Sequence, residues 1–311
     1  MKIDLSKAVS IIHSGLVVGI PTETVYGLAA DAFNLDAVEK TFRLKGRPSD
    51  NPLIVHICST DQLKMLAIDI PDSAYQIADQ FWPGPLTLVL NKNHRVPDVV
   101  TGGLKTVAVR MPDHPLTLEL IRQTGPLTAP SGNRSGQPSP TKASHLHEDY
   151  KGELPVLDGG ICTIGLESTV LDLTLSPPAI LRPGAIDPAE IFRKTGIQVT
   201  QISSGSSASL KSPGTRYTHY KPNAIVEWID TIPATFLPDI YYIYHTMNPG
   251  IKKRNVISYQ GNFEKLAQNL YDHFRTADHL SYRKVQIECL PPSEKSHLIG
   301  ALSDRISKAI G

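Results

Sequence analysis

Cysteine is scarce in this chain: Cys58, Cys162 and Cys289 are far apart and odd in number within 311 residues. None stands in a Cys-x-x-Cys or Cys/His spacing, which argues against a disulfide framework and a structural zinc and fits a reducing cytoplasm. Excess charge of either sign is also lacking, with 31 Lys and Arg against 30 Asp and Glu. No overall field gathers nucleic acid or anionic lipid, so an anion site has to be a local cluster. Apolar runs such as Leu16 to Val18 and Leu86 to Leu90 fall far short of the roughly 20 residues that span a bilayer. The opening MKIDLSKAVSIIHSG has no long apolar core and no small-residue cleavage site, so a signal peptide is not expected. G-x-x-x-x-G-K-S/T, G-x-G-x-x-G opening a helix, G-x-S-x-G and H-E-x-x-H are all missing. Any use of ATP has to proceed without a Walker loop.

What is present centres on Ile20 to Ile57, where an apolar strand ends in Pro21 and a polar turn, Thr22-Glu23-Thr24, follows. A helix-like segment then carries Lys45, and Gly46-Arg47-Pro48 leads to a second strand. Cations and hydroxyls at the ends of apolar elements are how an α/β protein builds a ligand site.

The helix signals come in order. Asp4 caps a helix over residues 4 to 15 that Gly15 stops, and residues 36 to 45 form a second one ended by Gly46. Further helices are expected over 61–67, 72–81, from Pro115 to near Gly125, 144–150, and 188–194 behind Asp187. Strands are expected over 16–20, 51–57, 86–90, 107–111, 155–157, 168–173 and 179–181, with 100–103 as a loop and 127–129 as a short apolar approach to the loop that follows. In the strand over 51–57, Leu53, Val55 and Ile57 face one way, and Ile54 and His56 the other. Residues 202 to 212 turn to Ser and Gly, the composition of a linker. Beyond it, strands over 225–229, 240–244, 256–259 and 285–290 alternate with helices over 263–274 and 293–309, as in a small α/β domain.

Lys45 and Arg47, spaced by one glycine, are the first chemical candidates. A helix end attracts cations through its dipole and unpaired carbonyls, so a solvated pair is the plain alternative to a clamp for phosphates or carboxylates. Thr22, Glu23, Thr24 and Tyr26 form a polar cluster that serves equally as a turn. The loop holding Ser131, Gly132, Asn133, Ser135, Gly136 and Ser139 can present backbone N–H groups to phosphate or simply be a loop. His56 on a strand is commonly a packed histidine, and Arg110 commonly a carboxylate partner. His145 and His147, two residues apart, cannot share a metal from one helix.

Together these pieces are specific. PTETVYGL at 21–28, KGRPSDNPLIVHI at 45–57, FWPGPLTLVL at 81–90, VAVRMPDHP at 107–115, APSGNRSGQPSPT at 129–141, LESTVLD at 166–172 and ILRPGAI at 180–186 closely resemble the YrdC-like family. SPGTRYTHYKP at 212–222 is similar to the linker of its longer, two-domain members. The resemblance implies an α/β fold: a twisted open mixed sheet in a catalytic domain over 1–201, a linker or lid over 202–222, and a smaller Rossmann-like domain over 223–311. It implies synthesis of L-threonylcarbamoyladenylate and pyrophosphate from ATP, L-threonine and bicarbonate, with Mg2+ accompanying the triphosphate. The product would pass to a tRNA-modifying transferase complex acting next to the anticodon. By the same resemblance, Lys45 and Arg47 are the catalytic pair. Arg47, Asn51, Thr106, Ser131, Asn133, Ser139 and Arg182 would face ATP, with Tyr217 or Tyr220 reaching back over it. Thr24, His56, Arg110, Ala129 and Ser168 would face threonine.

Two alternatives remain open. An RNA-binding maturation factor without ATP turnover would use Arg43, Lys45 and Arg47 as a basic patch, against which the near-zero net charge counts. The carbamoyltransferase that matures hydrogenases shares a similar domain, but this chain lacks the cysteine pairs and the length for the rest of that enzyme.

Overall fold

The computed structural model describes residues 1–202, 220–292 and 296–311. The chain opens with β1 (Lys2–Ile3), α1 (Leu5–His13), β2 (Val18–Ile20), β3 (Gly27–Asp31), α2 (Leu35–Lys45) and β4 (Ile54–His56). A 3-10 turn (Thr60–Gln62), α3 (Leu63–Leu66), α4 (Asp72–Phe81), β5 (Leu86–Asn91), α5 (Asp98–Thr101), β6 (Thr106–Arg110), α6 (Pro115–Thr124) and β7 (Leu127–Thr128) follow. Next come α7 (Ala143–Asp149), β8 (Val156–Leu157), β9 (Thr169–Asp172), β10 (Ala179–Arg182), α8 (Pro188–Thr195) and β11 (Thr200–Gln201). The last part holds β12 (Ile225–Ile229), β13 (Ile240–Tyr244), β14 (Val256–Ser258), α9 (Phe263–His279), β15 (Lys284–Glu288) and α10 (Ile299–Ile310).

The first eleven strands form one mixed sheet in the order β1-β8-β2-β3-β7-β4-β6-β5-β9-β10-β11. The other four form a wholly parallel sheet, β12-β15-β13-β14. Both agree with the expected mixed sheet and small α/β unit. Among the described residues no helix is long and apolar enough to cross a membrane.

The helix ends obey their signals. Asp4 accepts from the Lys7 N–H and Asp187 from the Glu190 N–H, while Gly46 ends α2 in the left-handed conformation at φ 63°. Asn34, ahead of the expected start, caps α2. Other expectations shift. The segment expected as a helix over 61–67 divides into the 3-10 turn and α3, and the 100–103 loop is entered by α5, whose last residue is Thr101. α9 runs past the expected 274 to His279, and α10 starts at Ile299 rather than 293. The expected linker falls largely outside the described residues, and so does Tyr217.

Strand β3 went unanticipated. It pairs antiparallel with β2 on one side and β7 on the other, so the Pro21–Tyr26 segment becomes the loop of a β2–β3 hairpin. The alternation in β4 holds: Leu53, Val55 and Ile57 enter the main apolar core with Leu88 and Val109, and Ile54 points to the opposite face. Because β4 and β6 run parallel with His56 opposite Arg110, those two side chains stand side by side on that face.

Candidate active site

One cavity opens where the β2–β3 loop, the ends of α2 and β4, the last residue of β6, the loop after β7 and the segment before β9 meet. Thr24, Lys45, Arg47, His56, Arg110, Ala129, Ser131, Asn133, Ser168, Arg182 and Tyr220 all line it, together with Thr22, Ile54, Pro130, Ser135 and Glu167. Three of the expected site residues do not. Thr106 shares a face of β6 with Arg110 but starts the strand, roughly 13 Å earlier along it. Ser139 is fully buried and donates to Glu167, one bond behind the wall. Asn51 is also buried; its carbonyl accepts from Arg47 Nε at 3.1 Å, while both atoms of its side-chain amide lack partners. A buried amide with nothing to bind is costly unless a ligand completes it.

Lys45 does not project as an open cation. Its Nζ donates to the carbonyls of Ser131 and Asn133, and the Ser135 N–H donates back to the Lys45 carbonyl. The lysine thereby fixes the hydroxyl-rich loop against the end of α2. Burial, and then the charge of Arg47, pull its pKa well below the ordinary lysine value. Arg47 is held by the Asn51 and Pro52 carbonyls. Arg182 donates from Nε and Nη2 to the Ser168 carbonyl and from Nη2 to the Ser168 hydroxyl.

Arg110 organises the other group. Its Nε donates to the Gly84 carbonyl at 3.0 Å and its Nη1 to Thr24 Oγ1 at 2.8 Å. Thr22 spends its hydroxyl proton on the Val25 carbonyl, so the Thr22–Thr24 bond is donated by Thr24. Thr24 is left with acceptor capacity only. Glu23 Oε1 lies 2.5 Å from Arg110 Nη2, an ion pair buried on both sides. Burial, and then the Arg110 charge, push the His56 pKa down to about 3, and its Nδ1 has no partner. The imidazole is neutral at neutral pH.

Glu167 lines the cavity but was missed as a site residue, although it lay inside the LESTVLD motif; Glu23, singled out with Thr22 and Thr24, stands behind the wall as the partner of Arg110. Glu167 accepts from Ser139, Tyr271 and Arg305. Burial pushes its carboxyl up, but the charges of Arg305 and Arg182 and the hydrogen bonds outweigh that and hold the pKa at about 2.

No three His, Cys, Asp or Glu side chains gather among the described residues, and Glu167, the carboxylate that lines the cavity, is engaged by Arg305. That donor set does not fit a protein-built metal cage. An ion carried by a triphosphate keeps several waters and asks for no such cage.

Residues 10–184 match the family model described as "Telomere recombination", and residues 186–311 match that described as "Threonylcarbamoyl-AMP synthase, C-terminal domain". A threonylcarbamoyl-AMP synthase of Pyrococcus abyssi is 42% identical, over 98% of this chain and 93% of its own. That of Bacillus subtilis is 40% identical, over 99% and 93%. The crystal structure of P. abyssi Sua5 complexed with L-threonine superposes with a TM-score of 0.89 at 38% identity, covering 100% of this chain and 98% of the other. On both halves of its length, the chain belongs to the threonylcarbamoyl-AMP synthase family.

Proposed function

We propose that this protein makes L-threonylcarbamoyladenylate and pyrophosphate from ATP, L-threonine and bicarbonate, for threonylcarbamoyladenosine next to the anticodon of tRNA. One observation carries the reading. A polar cluster (Thr24, His56, Arg110) and a second one suited to phosphates (Arg47, Arg182 and the Ser131–Asn133 loop held by Lys45) open into the same cavity. The reaction has to join an amino acid with a nucleotide. The threonine amine, stripped of its extra proton, attacks the carbon of bicarbonate; a C–N bond forms and water leaves. A carbamate oxygen then attacks the α-phosphorus in line, forming one P–O bond as the bond to pyrophosphate breaks.

The residues divide the work. Arg110, held in place by its buried ion pair with Glu23, attracts the threonine carboxylate, and Thr24 has an acceptor site for its ammonium. His56, neutral, offers its unpartnered Nδ1 beside them. Ala129 and Ser168 complete that side. Arg47 and Arg182 offset charge on the phosphates, and Lys45 holds the Ser131–Asn133 loop where its N–H groups can meet oxygen. Asn51 acts behind the wall, its carbonyl holding Arg47 Nε, and Tyr220 lines the cavity. Magnesium enters with the triphosphate, and the hydrolysable product passes to a tRNA-modifying transferase complex in the cytoplasm. The assay is pyrophosphate release with ATP and magnesium, with threonine and bicarbonate present together and each left out in turn. Release is expected to require both and to fall about a hundredfold in Lys45→Ala, the scale of losing a positioned loop. Release indifferent to threonine and bicarbonate would sink the reading.

A further inference from the structure

Glu167 is a carboxylate in the wall of a cavity that has to accept a polyanionic triphosphate. Left uncompensated, it opposes binding in a poorly screened site. Its partners come from both sheets' domains. Oε1 accepts from Ser139 Oγ at 2.5 Å; Oε2 accepts from the Tyr271 hydroxyl of α9 at 2.9 Å and from Arg305 Nε of α10 at 2.7 Å. Arg305 has no exposed surface, donates from Nη2 to the Pro183 carbonyl at 3.0 Å, and lies 5.4 Å from the ring centroid of Tyr220. The rings of Tyr220 and Tyr271 are 5.3 Å apart. Glu167 also adjoins Ser168, whose carbonyl and hydroxyl seat Arg182.

We propose that Arg305 and Tyr271 are positioning residues for the nucleotide. Arg305, which also pairs with Asp304 through Nη1, offsets the charge of Glu167, and Arg305 and Tyr271 together aim that carboxylate, which in turn fixes Ser139 and the Ser168 segment that seats Arg182. The C-terminal domain thus sets ATP affinity without touching the substrate. Threonine affinity, built mainly on Arg110, Thr24 and His56, is shifted less, through the neighbouring Ser168. The pair has a clearer purpose here than in folding, because a buried ion pair is commonly no better for stability than apolar residues of the same volume.

This rests on the synthase reading for its choice of ligand, so binding and turnover are measured separately on the full-length protein. ATP binding is read by calorimetry, and the KM values for ATP and threonine by pyrophosphate release. Arg305→Met is expected to weaken ATP binding and raise its KM about tenfold, with the threonine KM within about twofold of the parent. Adding Glu167→Gln removes the exposed charge and keeps an acceptor for Ser139, so the double variant recovers most of the ATP affinity. Tyr271→Phe, which keeps the ring and its packing, is expected to give a smaller loss, about threefold, again mainly for ATP. ATP affinity unchanged in Arg305→Met and Tyr271→Phe would overturn the proposal, as would a double variant no better than the single. Should Arg305→Met not fold, the Tyr271→Phe and double variants decide. A parent protein that binds ATP but releases no pyrophosphate refutes the synthase reading, while the calorimetric comparison still tests this one.

Discussion

At the scale of single residues, the site is made of polar groups kept in states that water would not choose. His56 is the clearest. It is 3% exposed, beside the Arg110 guanidinium, with a pKa of about 3 against an ordinary 6.5. The folded protein therefore holds it neutral while the unfolded chain takes up a proton below 6.5. Because the unfolded state binds more protons in that window, its contribution to stability is lost as pH falls from about 6.5 toward about 3. One group gives a slope of up to about 1.4 kcal/mol per pH unit. His56→Gln, neutral at every pH, is expected to reduce the steepness of this decline by one proton's worth. Urea unfolding over the upper part of the window measures it, and an unchanged slope would place the titration elsewhere. Arg110 and Glu23 show the complementary case, two charges that share one buried contact at 2.5 Å behind the cavity wall.

At the scale of elements, the segment leading to Glu167 is clamped between the domains. Ile164 N–H donates to the Glu23 carbonyl, and Gln268 of α9 donates to the Cys162 carbonyl at 2.9 Å. Between them Gly165 sits at φ 81°, where an added Cβ would stand 2.5 Å from the Gln268 Cα. Neither backbone can yield. Gly165→Ala is expected to lose about 1–3 kcal/mol from crowding beyond the cost of its left-handed backbone. Gly160→Ala supplies the control, since it has φ 86° with open space around it. Denaturant midpoints of the two variants separate crowding from backbone strain; equal losses would mean that α9 does not press on this segment. How far such features are legible in sequence depends on whether their signal is local. Asp4, Gly46, Pro115 and Asp187 announce helix ends because a cap is satisfied within a few residues. Strand β3, Gly-Leu-Ala-Ala-Asp, shows no alternation because both of its faces are buried between two neighbours. Lys45, Arg47, Ser131 and Asn133 stood in readable motifs, but nothing near Glu167 reveals an Arg305 lying 138 residues away.

At the scale of the whole molecule, the two sheets' domains share an apolar core. The apolar core of the C-terminal domain takes in Val25, Leu166 and Ala185 from the catalytic side, next to Tyr220, Leu270 and Leu302. Polar contacts reinforce it: Lys142 and His145 meet Asp272, and Arg275 forms a two-pronged pair with Asp149, both contacts at 2.8 Å. Asp149 is 6% and Arg275 11% exposed, so the pair is largely desolvated. Removing one partner strands the other. Arg275→Met is therefore expected to cost about 3–5 kcal/mol, far more than an exposed pair would. Asp149→Asn with Arg275→Met leaves no buried charge and is expected to recover most of that loss. A deficit of about 1 kcal/mol should persist, because Arg275 also donates to the Pro138 carbonyl. Urea unfolding of the parent, the single and the double variant measures these differences. Calorimetry of the parent should give one transition whose calorimetric and van't Hoff enthalpies agree. If single and double variants are equally destabilised, the contribution of Arg275 lies in the packing of its stem rather than in its charge. Two separated transitions in the parent would mean that the shared core does not couple the domains, and ATP affinity would then depend on a docking equilibrium as well as on the cavity itself.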